Sequence, residues 1–580
     1  MSAAGNLRFG TFELRSASGE LRQHGDLVKL SPQPFKVLDL LARRAGEIVT
    51  RDEIREHVWP DDTFVDFEQG LNFCVRQIRE ALGDAAAAPR FVETLPRRGY
   101  RFLMPVIAET PHAAASTPTR LIVLPFRLLR ADPDTEFLAF SLPDAITSSL
   151  SGLESLVVRS SLAAARYADG GAHVPLPDPK AIAADQDVDL IVTGTLLRAG
   201  DQVRVTAQMT DASTSALVWT ETAQASVHDL FRLQDELTHH ITGSLSLPLT
   251  AREQQRLGGD VPASARAYEY YLRGNQLSYD SKQWAVARDL YLRAVDEDPR
   301  YAPAWARLGR IHHVMGKYLD TGSPDGLDLA EAAFARALAL NPDLPLTHKL
   351  YAQLEVDRGR AQDGMARLID RARIADPELL TGLVTTCRYC GLLEASVAAH
   401  ARAVALEPKV RTSVGHTWFL QGDYAHLAAI PASRYPYIVP LALAELGRAD
   451  EGLAQLRELE PKIPTKVRHL VSAARALLEG EAAESLAEVL AADIRDPEAF
   501  YYAARHCARL GEPDRALEFL ARSIDGGFSC APAMTRDPWL EPLRRTRACR
   551  ALIDRASARH REAAALFSAR QGAEMLRVPN

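Results

Sequence analysis

The sequence predicts a multidomain chain of three unlike blocks: a small α+β head, an α/β middle domain and an all-α solenoid. Three observations predict it. The first hundred residues mix short β-branched and aromatic segments with amphipathic helices, and close on RFVETLPRRGYRF, residues 90–102, which has the make-up of a hairpin. From about residue 120 to 245, strand-like runs alternate with helical ones. After residue 265 the strand signals stop and a helical phrase recurs: RAVDEDP at 293, RALALNP at 336, RARIADP at 371 and RAVALEP at 402.

Composition bounds the reading. The chain has 580 residues, too many for one core, with 47% hydrophobic and 25% charged residues, as in ordinary globular proteins. A net charge of −7 argues against a chain that coats nucleic acid throughout, and leaves room for a local site. Six cysteines make no disulfide framework, and MSAAGNLRFGTFELRSASGE lacks an apolar leader. The greasiest stretch, AAIPASRYPYIVPLALAELG, is broken by three prolines and Arg434, so it falls short of the ~20 apolar residues a span needs. The expectation is a soluble, cytoplasmic protein with no membrane contact.

The head covers residues 6–106. LRFGTFELR and GDLVKLS read as short strands around Gly turns. SPQPFKVLDLLARRAGE is a helix with apolar Phe35, Val37, Leu38, Leu40 and Leu41. TRDEIREHVWP is a second, with Thr50 as N-cap, Glu53 completing a capping box, and Pro60 ending it. In the third, EQGLNFCVRQIREALGD, Leu71, Val75, Ile78 and Leu82 form a buried stripe, and Gly83 is the stop. Asn72, Arg76 and Arg79 share the next face, and Phe73, Gln77 and Glu80 the one beyond. Arg, Asn and Gln are the side chains that bond bidentately to guanine and adenine edges. Residues 70–104 hold six arginines against three acids, and residues 45–69 two against eight. At the hairpin tip Arg97 and Arg98 have nothing in the head to pack on.

This order of elements, and above all QIREALGD with APRFVETLPRRGYRF, resembles the winged helix-turn-helix domain of the OmpR/PhoB family over about 100 residues. The resemblance implies a third helix in the major groove, with base reading by Asn72, Arg76 and Gln77. It implies backbone contact by Thr50, Arg51 and Arg79, and a wing whose Arg97 and Arg98 reach phosphates or the minor groove. Phe73 and Gln77 stay open between base contact and bystander. Taken singly, Arg76 or Arg98 would read as a solvated surface residue; together with the stripe, the capping box and the tipped hairpin they point to DNA. In the family the loop after the second helix, here DDTFVDFEQ, can face RNA polymerase, which makes Asp61 and Asp62 candidate contacts. Family members usually carry a phospho-acceptor receiver ahead of the reader. Here the reader opens the sequence, so a one-component regulator controlled from behind is expected.

A Pro/Ala/Ser-rich linker, 107–119, leads to the middle domain, 120–245. LIVLPF, VDLIVTGTLLRAGDQVRVTAQMTDASTSALVWTET and LFRLQDELTHHI resemble the TolB-type domain of CadC-like and cyclase-linked regulators; LPDAITSSL departs from it, lacking the Asp-Gly usual near Ser141 and Leu142. A second linker, 246–264, precedes the repeat block, 265–560, and a tail, 561–580. The repeat spacings are 43, 35 and 31, around the 34 of a tetratricopeptide repeat, and KYLDTGSPDGLD accounts for the longest. A late unit, GEPDRALEFLARSID, returns at 511. Ala287, Ala294, Ala330 and Ala337 let paired helices approach, Tyr291 and Phe334 fill between them, and the units must stack to bury their faces. The block resembles a tetratricopeptide domain, which implies a protein or peptide partner.

Catalytic patterns are missing from the sequence: no G-x-S-x-G, G-x-G-x-x-G, H-E-x-x-H or Walker A loop occurs, and HVMGKYLD fails as a phosphate site. CRYC, Cys387 to Cys390, has no second pair at zinc spacing and reads as core packing, and His239-His240 as a solvated helix face. The expectation is a non-enzyme without cofactor or metal: a sequence-specific regulator of double-stranded DNA, acting as a homodimer or in tandem because one winged domain offers little contact area. The alternative is a tetratricopeptide interaction scaffold whose winged domain binds no DNA.

Overall fold

The computed structural model describes residues 6–10, 12–15, 20–23, 26–58, 67–85, 89–96, 98–104, 106–109, 118–153, 155–167, 177–245, 249–250, 253–254, 260–318, 326–371, 376–463 and 465–578. The chain divides into two units, 1–117 and 118–580.

The first unit opens with four short strands, β1 (Asn6–Phe9), β2 (Phe12–Arg15), β3 (Glu20–Gln23) and β4 (Asp26–Val28). Helices α1 (Pro32–Arg43), α2 (Arg51–Val58) and α3 (Phe67–Leu82) follow, with β5 (Ile48–Thr50) leading directly into α2. The hairpin β6 (Val92–Leu95) and β7 (Gly99–Phe102) comes next, then β8 (Ile107–Glu109). One sheet runs β4-β3-β2-β1-β8 and the other β5-β7-β6. The predicted helical stripes become the core: Val37, Leu38, Leu41, Leu71 and Ile78 are fully buried. Phe9 meets Phe102 edge-on at 4.9 Å and Phe12 meets Phe91 at 5.6 Å, sealing sheet against hairpin. β8 lies in the stretch expected to be linker. Its backbone pairs with β1, Asn6 opposite Glu109, a contact that three residues cannot announce through side-chain alternation.

In the second unit, β9 (Thr119–Val123), β11 (Leu156–Val158) and β12 (Leu190–Ala199) lie parallel, β9 in the middle. β13 (Gln202–Asp211) and β14 (Leu217–Ser226) continue as an antiparallel meander, and β10 (Arg127–Leu128) pairs with β12. Helices α4 (Leu138–Leu150) and α7 (Leu230–Ser244) share one core with the sheet. The short helices α5 (Ser161–Ala165) and α6 (Pro179–Gln186) belong to a separate small core and carry little periodic signal.

The repeat block is built of antiparallel helix pairs: Ala265–Leu277 with Trp284–Glu297, Ala302–Tyr318 with Gly326–Leu340, Pro345–Asp357 with Ala361–Ile369, and Pro377–Tyr389 with Leu393–Leu406. Ala287, Ala294, Ala330 and Ala337 are fully buried, as are Tyr291 and Phe334. The close approach is steric. A Cβ on Gly274 would stand 2.7 Å from the Tyr291 ring, and one on Gly309 2.8 Å from Phe334. Pairing continues through 438–525, where the repeat register is loose in sequence.

Two boundaries differ from expectation. The stretch read as the linker 246–264 does not separate two cores: Leu233 and Leu237 of α7 share one with Tyr268, Tyr271 and Tyr291 of the array. Asp144 of α4 also accepts from Tyr279 Oη at 3.0 Å and from buried Arg307 at 3.3 Å. Residues 561–580, expected as a tail, contain the end of a long helix, Arg547–Ala569, and a short one, Gly572–Leu576. Ala563, Phe567 and Leu576 are buried there, and Arg402 donates to the Met575 carbonyl. Their apolar positions are sparse among charges, which hides the pattern.

Cys387 and Cys390 are buried in the array core, and burial pushes the Cys390 thiol up to about 12. His239 and His240 are exposed on α7. Among the described residues no helix is long and apolar enough to cross a membrane, and no group of His, Cys, Asp and Glu could hold a metal ion.

Candidate nucleic-acid interface

The site begins with how α2 and α3 are fastened. The Thr50 N–H donates to Glu53 Oε2 at 2.7 Å, and the Glu53 N–H donates to Thr50 Oγ1 at 3.3 Å, closing the capping box. Arg44 donates to Glu53 Oε1 at 2.7 Å. The Thr50 N–H and then Arg44 hold the Glu53 carboxyl down at about 2. The Thr50 hydroxyl also donates to Glu53 at 2.9 Å, so it is committed to the cap.

At the far end of α3, Gly83 turns at φ +62° and Asp84 gathers the loop that follows. Its carboxylate accepts from the N–H groups of Ala85, Arg90, Phe91 and Val92 at 2.7–3.2 Å. Partial burial pushes the Asp84 carboxyl up, but these four donors outweigh it and leave it below its ordinary value. Asp84 thus fixes where β6 starts. Gly99, at φ +144°, lets the returning strand pass β5: a Cβ there would lie 2.1 Å from the Val49 carbonyl oxygen.

With its back formed by Leu71, Cys74, Val75, Ile78 and Leu82, α3 presents Asn72, Phe73 and Arg76 to solvent. Phe73 is 48% exposed and lies 5.4 Å beneath the Arg76 guanidinium. A groove of about 490 Å³ between α3 and the hairpin brings together Arg51, Asn72, Arg76, Arg79, Thr94 and Tyr100. Gln77 is half-buried and, like Phe73, lies off this groove. Arg98 is exposed near the hairpin tip, its N–H donating to the Leu95 carbonyl at 3.0 Å. Arg97, Asp61 and Asp62 lie outside the described residues.

Two residues have roles that the sequence did not show. Arg79 Nη2 donates to the Val92 carbonyl and to Thr94 Oγ1, both at 2.8 Å, so it ties the reading helix to the wing strand. Tyr100, buried on β7, donates to Asn72 Oδ1 at 3.3 Å and accepts from Arg51 Nη2 at 3.5 Å. It orients the Asn72 amide. Its signal lay in RRGYRF itself, as the aromatic residue beside the obligatory glycine. Among the described residues Arg76 and Arg98 have no ion pair, whereas Arg101 is matched by Glu93 at 3.0 Å. Guanidinium and amide donors around such a groove can meet phosphate oxygens and base edges.

Comparison with known proteins places this geometry. Residues 25–102 match the family described as Transcriptional regulatory protein, C terminal. The chain is 29% identical over 211 residues to "Putative adenylate cyclase 3" of Rhizobium meliloti (strain 1021), covering 35% of each protein. It is 32% identical over 108 residues to the "Cholera toxin homolog transcriptional activator" of Vibrio parahaemolyticus, covering 18% of this chain and 37% of that one. The chain thus spans about a third of the length of these relatives. A crystal structure of the Klebsiella pneumoniae RstA DNA-binding domain in complex with the RstA box is similar at 25% identity, covering 17% of this chain and 96% of that one, with a TM-score of 0.16. The matched head, residues 25–102, is a transcriptional regulatory domain of the OmpR/PhoB type.

Proposed function

We propose that the chain is a sequence-specific, DNA-binding transcriptional regulator of the one-component kind, read out through the head and controlled through the second unit. The observation that carries this is the exposed Arg76 guanidinium, without an ion pair among the described residues, beside the Tyr100-oriented Asn72, on a helix whose opposite face is core. In this reading Asn72 and Arg76 contact base edges of double-stranded DNA, with Gln77 and Phe73 at the margin. Arg51, Arg97 and Arg98 lie along the phosphate backbone, Thr50 serves by capping the helix that carries Arg51, and affinity falls with salt as counterions are released. Arg79 works from behind, holding the wing.

The TolB-like middle region and the array receive the signal, through a protein, peptide or small-molecule partner. Asp61 and Asp62 face RNA polymerase, two copies act together on repeated half-sites, and the protein works in the cytoplasm. No reaction is catalysed; the cyclase-named relative is covered over about a third of its length, which transfers no reaction here.

The test is selection from randomised duplex DNA by the isolated head, residues 1–117, a unit with its own core. An enriched motif is the expected result. If no sequence were enriched at low salt, the reading would fall to that of an interaction scaffold.

A further inference from the structure

The helical array borders a cavity of about 690 Å³, lined by the helices Ala302–Tyr318, Pro345–Asp357, Pro377–Tyr389 and Pro497–Arg509 and by residues 413–438. We propose that this cavity is a binding site for a small organic anion with an apolar body, an aromatic or medium-chain carboxylate. The inference deepens the reading of the second unit as the signal input, and its test needs no DNA.

The size of the cavity suits a small molecule. Lys317 lies 3.6 Å from Asp496, and Arg388 holds Glu498 through two bonds of 2.9 and 3.0 Å, so residues more than a hundred positions apart meet at the cavity. The volume of the cavity lies within the roughly 300–1,000 Å³ of small-molecule sites. Its walls are mostly rings and aliphatic groups. His416 stacks on Tyr502 at 5.8 Å and meets Tyr435 edge-on at 5.2 Å, with Tyr437 and Ile438 alongside.

Charge then selects the ligand. Each carboxylate in the lining is already answered. Asp357 is bonded by His313 at 2.6 Å and Lys317 at 2.7 Å, Asp496 faces Lys317, and Glu498 is gripped by Arg388. A cationic ligand therefore finds no carboxylate without a partner. Arg434 is the exception among the lining cations. It is exposed, it donates once, to the Thr412 carbonyl at 3.0 Å, and it has no carboxylate partner among the described residues. A guanidinium with N–H groups to offer, held 5.7 Å from the Tyr435 ring, suits a carboxylate attached to an apolar body.

The experiment uses the full chain and four probes: phenylacetate, octanoate, the neutral phenylacetamide and the cationic phenethylamine. Binding is followed by calorimetry and by saturation-transfer NMR, for the native chain and for Arg434→Gln and Arg434→Lys. At least one acid is expected to bind with a Kd of roughly 10 μM to 1 mM, and the amide and amine about tenfold or more weaker. Arg434→Gln should lose about tenfold with an unchanged melting temperature, and Arg434→Lys should recover part of the loss. The proposal is overturned if neither acid binds at about 5 mM, if amide or amine binds as well as the acids, or if Arg434→Gln binds like the native chain. The head's DNA selection is unaffected by any of these results, so the two readings fail separately.

Discussion

Arginine plays opposite parts in the head and in the array. In the array, Arg388 is 3% exposed and bidentate to Glu498, and Arg505 is 2% exposed, bonded to Asp537 at 2.8 Å and 3.9 Å from the Trp539 ring. Each left water together with a carboxylate, and the pair fixes how distant helices meet. In the head, Arg76 and Arg98 stand in solvent with no carboxylate partner among the described residues, while neighbouring Arg101 is matched by Glu93. A cation buried with its partner is architecture, and removing one partner strands the other. A cation left exposed and unpaired on a built groove is an offer to an anion outside the fold. Arg79 falls between the two, charged and half-buried but committed to the wing strand.

The comparison breaks most visibly at its buried end. Arg388→Ala should lower the stability of the second unit by about 3–5 kcal/mol, because Glu498 is left charged and alone. Chemical denaturation measures this, and the double change Arg388→Met with Glu498→Leu should recover most of it. An isolated loss below about 1 kcal/mol would mean that the pair is not architectural. Next is Gly99→Ala in the head. Left-handed backbone strain alone costs about 1–3 kcal/mol, and the Val49 carbonyl adds a clash, so both melting temperature and DNA binding should fall.

At the exposed end stability should not move. Arg76→Ala should cost about 1–3 kcal/mol of discrimination between the selected site and a mutated one, with the head's melting temperature unchanged. Arg98→Ala should weaken all sequences alike and reduce the slope of log affinity against log salt by about 0.9. The smallest effect is in acid. Glu53 and Asp84 have folded values below their ordinary 4.5 and 3.8, so their contributions are complete above those values. They are lost as pH falls through the folded values, which for Glu53 is about 2. The head should therefore lose stability from about pH 4.5 downward, and Glu53→Gln should flatten part of that limb.

Much of this was legible in the sequence. The α3 stripe, the capping box and the glycine stop are local signals, and each stands where its spacing put it. The repeat phrase announced the helix pairs because Ala294 and Ala337 recur at the same place in successive units. Long-range contacts were what stayed hidden. Nothing in the sequence neighbourhood of Arg79 distinguishes a side chain that reaches Val92 from one that reaches DNA. Tyr100 acquires its role only when β7 lies beside α3, and the shared core of middle block and array joins residues more than thirty positions apart, such as Gln234 and Tyr268.

In the proposed reading Arg76 reads bases while the fold does not depend on it. The most direct measurement is the affinity of the native and Arg76→Ala full chains for the selected site and for a scrambled duplex, each at two salt concentrations. Arg76→Ala should bring the two duplexes about tenfold or more closer in affinity while its affinity for scrambled DNA changes much less. Equal weakening on both duplexes, or none on either, would contradict it.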